Sequence, residues 1–193
     1  NSHPRMIRFL KSLAGFLACF RALTLLAAPL PEEGNWGFET ATQGQATGWR
    51  QSPEYPYDRV ESTPDAREGG SAAVELVFEN PDEGAQAHYY GECPISPEPD
   101  VDFRVSVWAK GSGRLALLAY VYGLADHAEK FLRSIPFRPE ETPGGGSIDV
   151  SPEWTQHHFT IPAADLPREP FSLRIVLAAT GTVTVDDLSA EDN

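Results

Sequence analysis

The chain of 193 residues is long enough for one well-built domain, and two full hydrophobic cores would be hard to fill. Its net charge of −13 repels nucleic acid and anionic membrane surfaces, so no nucleic-acid partner is expected, whereas neutral ligands and cations remain compatible. The 17 prolines and 16 glycines favour many short strands joined by turns.

The first predicted element is the apolar segment at residues 1–34. Basic residues Arg8 and Lys11 precede an apolar run that ends near Ala28, and proline and glutamate residues follow it. This order is typical of a secretory signal peptide. The segment therefore predicts an apolar, signal-like helix ahead of the domain and a secreted, extracellular or cell-surface location.

Other interpretations of this segment stay open. Arg21 interrupts the apolar run, so a transmembrane span is not expected. The alternatives are an amphipathic helix docked on the domain and a lipoprotein anchored at Cys19. With residues 1–34 removed, Cys93 is the one cysteine left in the sequence, and neither a disulfide framework nor a structural zinc site is expected.

From Asn35 onwards, apolar and polar residues alternate with a period of two, which is typical of β-strands. The strands predicted from this alternation cover residues 72–78, 104–110, 114–123, 157–162, 172–178 and 182–186. Pieces such as "KGSG" and "AATGT" are predicted to be turns between them. We therefore predict one all-β domain over residues 35–193, folded as an antiparallel β-sandwich or jelly roll.

The sequence shows no catalytic signature, and we expect no enzyme. It lacks a G-x-S-x-G elbow, an H-E-x-x-H motif and a phosphate-binding loop ahead of a helix. His157 and His158 are adjacent, so on a strand they point to opposite faces and cannot form a metal pair. The alternative of a small jelly-roll lyase or hydrolase would have to use Arg104, His158, Arg174 and Glu75.

Five segments in one order carry a resemblance to a known family. They are "NWGFET…TGW" (35–40 and 47–49), "AREGGSAAVEL" (66–76), "DFRVSVWAKG" (102–111), "EWTQHHFTIP" (153–162) and "GTVTVDDLS" (181–189). Together they resemble the carbohydrate-binding modules appended to secreted cellulases, xylanases and laminarinases, which are galactose-binding-like jelly rolls. The resemblance covers residues 35–190 and implies a non-catalytic module whose partner is a neutral polysaccharide or oligosaccharide.

The resemblance also implies a structural calcium ion near the first and last strands. Calcium prefers six to eight oxygen ligands, which carboxylates and backbone carbonyls supply. Carried over residue by residue, the implied ligands are Glu39, the backbone around Arg67, Gly69 and Ser71, and Asp186. Asp187 is the alternative to Asp186, because a shift of one residue decides which side chain points inward.

Members of the family use the concave sheet face, or the loops at one edge, to bind sugars. In the later strands the odd-numbered side chains are predicted to fill the core, so the even-numbered ones face out. Aromatic rings beside hydrogen-bonding groups suit a sugar, because a ring covers the C–H face of a pyranose and polar groups read the hydroxyls. The predicted ligand-binding residues are Arg104, Trp108, Tyr120, Tyr122, His158 and Arg174.

The remaining aromatic residues are divided between surface and core. Tyr55, Tyr57, Tyr89 and Tyr90 are predicted to extend the binding surface. Packing roles are predicted for Trp36, Phe38, Trp49 and Trp154, and a packing role is the alternative for Trp108. A different class of function is also open, a free-standing surface or adhesion protein that contacts another protein without binding sugar.

Overall fold

The computed structural model describes residues 30–79, 86–98, 100–125 and 128–190. Most of the predicted signal-like segment, including Cys19, lies outside these ranges. Only its residues 30–34 are described. Leu30 and Pro31 contact the domain, since Leu30 packs against the core and the Trp36 indole N–H donates to the Pro31 carbonyl at 2.7 Å. In the described ranges, no helix is long and apolar enough to cross a membrane.

Strands dominate the described chain, with short 3-10 turns at Glu32–Gly34 and Ala163–Asp165. The strands are β1 (Ala41–Thr42), β2 (Gln45–Ala46), β3 (Trp49–Gln51), β4 (Arg59–Thr63), β5 (Ala73–Phe78), β6 (Ala87–Gly91), β7 (Phe103–Ala125), β8 (Ala128–Pro136), β9 (Arg138–Pro139), β10 (Ile148–Val150), β11 (Thr155–Ile161) and β12 (Phe171–Ala190). Every pairing among them is antiparallel, so the predicted all-β antiparallel class is confirmed.

Two long strands organise the fold. β7 and β12 pair over most of their length, from the Gly123–Phe171 pair to the Val105–Ala190 pair, with a bulge between Asp186 and Ser189. Towards the β7 C-terminus their neighbours give the order β3-β6-β12-β7-β8, which we call the front half-sheet. Towards the β7 N-terminus the order is β4-β5-β12-β7-β11-β9, which we call the rear half-sheet. The same two strands thus belong to both layers.

Glycines lie where the long strands pass from one half-sheet to the other. A β-carbon at Gly113 would lie 2.0 Å from the Thr180 carbonyl oxygen, and one at Gly111 would lie 2.1 Å from the Thr182 carbonyl oxygen. Gly181 has a φ of 75°, which favours glycine. The predicted turns at "KGSG" and "AATGT" are therefore wrong, because glycines allow close backbone contact and the strands continue through both pieces.

The core is filled by the odd-numbered side chains of the long strands, as predicted. Val107, Leu117, Leu173 and Val185 come from both half-sheets and both strands, and each is fully buried in one hydrophobic cluster. The half-sheets therefore face each other across a shared core, and the side chains between these positions point outward.

Aromatic packing closes one part of this core. The Trp49 ring stacks on Tyr89 with centroids 5.5 Å apart and contacts Phe38 at 5.0 Å. Trp36 and Trp49 also meet edge to face. The predicted packing roles of Trp36, Phe38 and Trp49 are confirmed, since all three side chains are buried.

Two of the tyrosines predicted to extend the surface lie in the core instead. Tyr89 is fully buried because it pairs with Leu177 on the core side of the front half-sheet. Tyr57 is buried, and its hydroxyl donates to the Leu177 carbonyl and accepts from the Ala179 N–H, so the hydroxyl keeps its hydrogen bonds in the core. The surface predictions for Tyr57 and Tyr89 are wrong, while Tyr55 is exposed and Tyr90 is half-buried.

Candidate functional site

The outer side of the front half-sheet carries a group of aromatic rings. Tyr120 and Tyr122 of β7 pair with Arg174 and Ser172 of β12, so all four side chains point away from the core. Rings from the 53–58 loop, β6 and β8 join them. We call this surface the aromatic face; its rings are Tyr55, His88, Tyr90, Tyr120, Tyr122 and Phe131.

Tyr120 lies at the centre of the aromatic face. Its ring centroid is 5.8 Å from that of Tyr90, 5.9 Å from that of His88 and 5.8 Å from that of Phe131. The Tyr120 hydroxyl is also 2.7 Å from Nδ1 of His88. Burial raises the pKa of Tyr120 to about 12 and lowers the pKa of His88. Both groups are therefore uncharged at neutral pH.

Two apolar residues of β12 pair with members of the aromatic face on β6, Val176 with Tyr90 and Ala178 with His88. Val176 and Ala178 of β12 have the outward register of Arg174, yet Val176 is fully buried and Ala178 is buried. Because their own strand does not cover them, side chains lying across the sheet must do so. The aromatic face thus includes buried apolar positions as well as rings.

An ion pair borders the face beside Tyr122. The Arg174 guanidinium lies 4.4 Å from the Tyr122 ring centroid and donates from Nη2 to Glu129 Oε2 at 2.6 Å. Glu129 Oε1 accepts from the Ser172 hydroxyl at 3.0 Å, and Arg174 Nε donates to the Glu92 carbonyl. The pair is electrically neutral as a unit and keeps further donors and acceptors in fixed positions.

Tyr55 and Phe131 present the most open rings, with exposed fractions of 45% and 51%. Tyr55 is one of the residues predicted to extend the surface, whereas Phe131 is not. The segment "EKFLRSI" around it has no period-two alternation, because β8 contains a β-bulge between the Tyr122–Phe131 and Val121–Arg133 pairs. The signal in the sequence was the presence of adjacent apolar residues, Phe131 and Leu132, between the basic residues Lys130 and Arg133.

The six predicted ligand-binding residues fall on two outer faces. Tyr120, Tyr122 and Arg174 meet on the aromatic face. The other three lie on the rear half-sheet, where β7 pairs with β11: Arg104 pairs with Thr160, Trp108 with Gln156, and Ser106 with His158. The two groups lie apart because β7 passes from the rear to the front half-sheet. Its even-numbered side chains point outward in both, so they lie on two different outer faces. His157 is buried on the core side, so the prediction that the adjacent histidines point apart is confirmed.

On the rear half-sheet, cations cover both indole rings. The Arg67 guanidinium lies 4.8 Å from the Trp108 ring centroid. The Lys110 ammonium lies 4.9 Å from the Trp154 ring centroid, and Lys110 also pairs with Asp65 at 2.6 Å. The ring face under each cation already makes a cation–π contact, so it is not free to stack on a ligand.

The predicted calcium ligands meet above the rear half-sheet in what we call the acidic cluster: Glu39, Arg67, Ser71, Asp186 and Asp187. Asp186 is fully buried, and its carboxylate accepts from the N–H groups of Arg67 and Asp187 at 2.9 and 2.8 Å. Glu39 accepts from the Ser71 N–H at 2.9 Å and from the Ser71 hydroxyl. Burial raises the pKa of Asp186, and the carboxylates of Asp187 and Glu39 raise it further.

Gly70 separates the two predicted carboxylate ligands. A β-carbon there would lie 2.9 Å from Glu39 Oε1 and 3.2 Å from Asp186 Oδ2, so both oxygens approach one small space. The adjoining Gly69 has a φ of 97° in a turn where the Gly70 N–H donates to the Arg67 carbonyl at 2.9 Å. Among the described residues no group of three or more His, Cys, Asp or Glu side chains is placed to hold a metal ion. Calcium held here would need backbone oxygens beside these two carboxylates.

Asp187 has a different partner. It lies in a bulge of β12 with a φ of 43°, and its Oδ2 accepts from Nε of Arg67 at 2.8 Å. The guanidinium of Arg67 therefore neutralises the charge of Asp187. The carboxylates of Glu39 and Asp186 have only N–H and hydroxyl donors as partners here, and these do not neutralise their charge. Three carboxylates and one guanidinium leave the cluster acidic, which favours a cation.

No family model and no curated protein matches the sequence. Among solved structures, a cyclase from Fischerella sp. TAU matches with a TM-score of 0.51 and 16% identity over 86% of this chain and 98% of that one. The xylan-binding domain from CBM22 matches with a TM-score of 0.49 and 13% identity over 84% of this chain and 97% of that one.

The CBM22-1–GH10 modules of Clostridium thermocellum xylanase 10B, in complex with xylohexaose, match with a TM-score of 0.47 and 16% identity over 76% of this chain. The chain spans 26% of that xylanase structure and 23% of a bacteriophage CBA120 tailspike protein that also matches. Likeness at these identities shows the fold. The fold of this chain is similar to that of the cyclase over 86% of its length, which agrees with the predicted antiparallel β-sandwich class.

Proposed function

We propose that this protein is a secreted, non-catalytic module that binds a neutral polysaccharide or oligosaccharide on the aromatic face. The observation that carries the proposal is the joint exposure of Tyr55 and Phe131 around the ordered centre of Tyr120. Side chains held by ring contacts and hydrogen bonds lose little conformational freedom on binding, so a preorganised surface binds at a lower entropic cost.

The chemistry of the face suits an uncharged sugar. Exposed rings stack on the apolar C–H surface of a pyranose, and fixed donors and acceptors bind its hydroxyls. Arg174 and Glu129 neutralise each other at 2.6 Å, so the pair can serve hydroxyl groups without attracting an ion. The net charge of −13 opposes an acidic polymer.

The rear half-sheet supports the choice of face by contrast. The indoles of Trp108 and Trp154 are covered by Arg67 and Lys110, at 4.8 and 4.9 Å. A sugar stacking there would have to displace a cation from each ring, whereas the rings of Tyr55 and Phe131 stand open.

Affinity electrophoresis through gels containing β-glucan, xylan or mannan tests the proposal. We expect at least one polysaccharide to retard the wild type. The double substitution Tyr55→Ala/Phe131→Ala is expected to weaken binding about tenfold or more, because truncating a central interface ring typically costs over 1 kcal/mol. Trp154→Ala on the rear half-sheet is the matched control and should be retarded like the wild type. Equal retardation of all three proteins would place the binding surface elsewhere.

We also propose that the acidic cluster holds a structural calcium ion. Glu39 and Asp186 would supply carboxylate oxygens, and the backbone of the 67–71 turn would supply carbonyl oxygens. Calcium bound there would compensate the negative charge of the cluster. Glu39, the 67–71 turn and Asp186 of β12 are far apart in the sequence. A cation bound by all three would therefore cross-link three distant parts of the chain.

A protein-binding role is the second candidate, and one observation favours it. Leu124 and Leu132, on the hairpin of β7 and β8, are 46% and 50% exposed beside the aromatic face. Exposed apolar side chains of this size mark contact surfaces in many proteins. A contact of this kind predicts self-association or capture of a protein partner that added glycan does not alter, which size-exclusion chromatography with multi-angle light scattering measures.

A further inference from the structure

The bulge in β8 decides which of its side chains reach the aromatic face. Ile135 pairs with Ala119 and Arg133 with Val121, both on the core-facing phase of β7. Continued without interruption, this register would pair Leu132 with Tyr122 and leave Phe131 on the core-facing phase. Instead, Phe131 pairs with Tyr122, and Leu132 is the extra residue.

The contacts on each side of the strand agree with this change of phase. Phe131 packs against Tyr120 and Tyr122 with centroids 5.8 and 5.7 Å apart. Leu132 instead packs towards Gly123, where an added β-carbon would lie 3.2 Å from Leu132 Cδ1. Because of the one extra residue, Phe131 and not Leu132 lies beside Tyr122.

The same change brings Glu129 over the sheet. Glu129 is two residues from Phe131 and shares its phase, and its carboxylate reaches both Ser172 and Arg174 on β12. These contacts tie the edge strand to a strand at the centre of the half-sheet. They use two of the roughly four lone-pair positions of the carboxylate, so Glu129 can accept further hydrogen bonds.

We propose that Phe131, Glu129 and Arg174 form an edge subsite for one uncharged sugar unit, and that the extra residue Leu132 is what builds it. The apolar face of the sugar stacks on Phe131, and two adjacent hydroxyls bind Arg174 donors and Glu129 acceptors. A phosphorylated or acidic sugar is disfavoured, because Glu129 already neutralises Arg174. The inference rests on the proposed function and adds to it the residues and the backbone device of one subsite.

An exchange of two neighbouring residues isolates the role of the bulge. The double substitution Phe131→Leu/Leu132→Phe keeps composition and apolar content but moves the aromatic ring to the bulged position. Calorimetric titrations with xylohexaose, cellohexaose and mannohexaose are the measurement. We expect the exchange to weaken binding of the bound hexasaccharide about fivefold or more, since an exposed anchor ring is lost. Leu132→Ala keeps the extra residue and should stay within about twofold of the wild type.

A second variant tests the polar part of the subsite independently of the bulge. Glu129→Gln keeps the shape of the side chain but replaces an acceptor carboxylate, and we expect about a fivefold loss of affinity. Thermal unfolding of each variant reports whether the fold is retained. Should the exchange variant fail to fold, Glu129→Gln carries the test.

The outcomes separate this inference from the function on which it rests. If the wild type binds a hexasaccharide and both the exchange variant and Glu129→Gln bind it equally well, the edge subsite is wrong and the glycan-binding function stands. If the wild type binds none of the three hexasaccharides and no polysaccharide retards it in electrophoresis, the edge subsite and the proposed function are overturned together. Weaker binding by Leu132→Ala than by the exchange variant would contradict the role given to the ring.

Discussion

Gly113→Ala is expected to lower the free energy of unfolding by about 3 kcal/mol or more, because the new methyl group would overlap a carbonyl oxygen of the paired strand. The added carbon would lie 2.0 Å from the Thr180 oxygen and 3.2 Å from the Gly181 α-carbon. Both obstacles are backbone atoms of β12, which cannot move without breaking the ladder. Since β7 and β12 are the strands shared by the two half-sheets, a local separation here disturbs the whole core.

Urea unfolding at equilibrium, followed by tryptophan fluorescence, measures this effect. Gly146→Ala is the matched control, because a β-carbon there meets no atom within 4 Å. The control should change stability by less than about 0.5 kcal/mol. A Gly113→Ala midpoint equal to that of the control would show that the close approach of β7 and β12 is not part of the fold.

Added calcium is expected to raise the melting temperature of the wild type, and Asp186→Ala to abolish that rise. Ligand binding to the folded state stabilises it by about 2.7 kcal/mol when calcium is a hundredfold above its dissociation constant. For a domain of this size such a gain corresponds to a rise of several degrees. Asp186 is fully buried at the centre of the acidic cluster, so its removal takes away a ligand and part of the attractive charge.

Differential scanning calorimetry in calcium and in chelator provides the comparison. Asp149→Ala is the matched control, since its side chain is 94% exposed and lies apart from the acidic cluster. It should keep the full calcium response. Identical melting curves of the wild type in calcium and chelator would remove calcium from the account, whatever the behaviour of the variants.

The division between core and surface along the later strands was predictable from sequence. Side chains of a strand alternate strictly, so the burial of Leu117 and Leu173 and the outward position of Tyr120 follow from the period of two. The grouping of Tyr120 with Tyr122 also follows, because side chains two residues apart on one strand share a face.

The layer of each strand segment was not predictable in the same way. Alternation shows which side of a strand is buried but not which half-sheet it joins, so Trp108 and Tyr120 looked like members of one surface. The sequence predicts turns at glycines 111, 113 and 181, whereas these glycines lie inside continuous strands where β7 and β12 are in close contact. Glycine is common both in turns and at sites of close backbone contact within strands, and only the tertiary structure shows which role applies here.

Phe131 shows a different limit of sequence reasoning. A single bulge shifts the phase of a strand, and nothing in "EKFLRSI" marks Leu132 as the extra residue. Tyr57 and Tyr89 show a third limit. Tyrosine is compatible with both surface and core, and the hydrogen bonds that bring the Tyr57 hydroxyl into the core come from residues more than a hundred positions away.

A glycan array probed with the purified domain, with and without calcium, tests the central claim most directly. The account predicts binding to one or more neutral glycans through the aromatic face, with no preference for acidic glycans. Folded protein that binds no glycan in either condition, or that binds acidic glycans in preference to neutral ones, would contradict it.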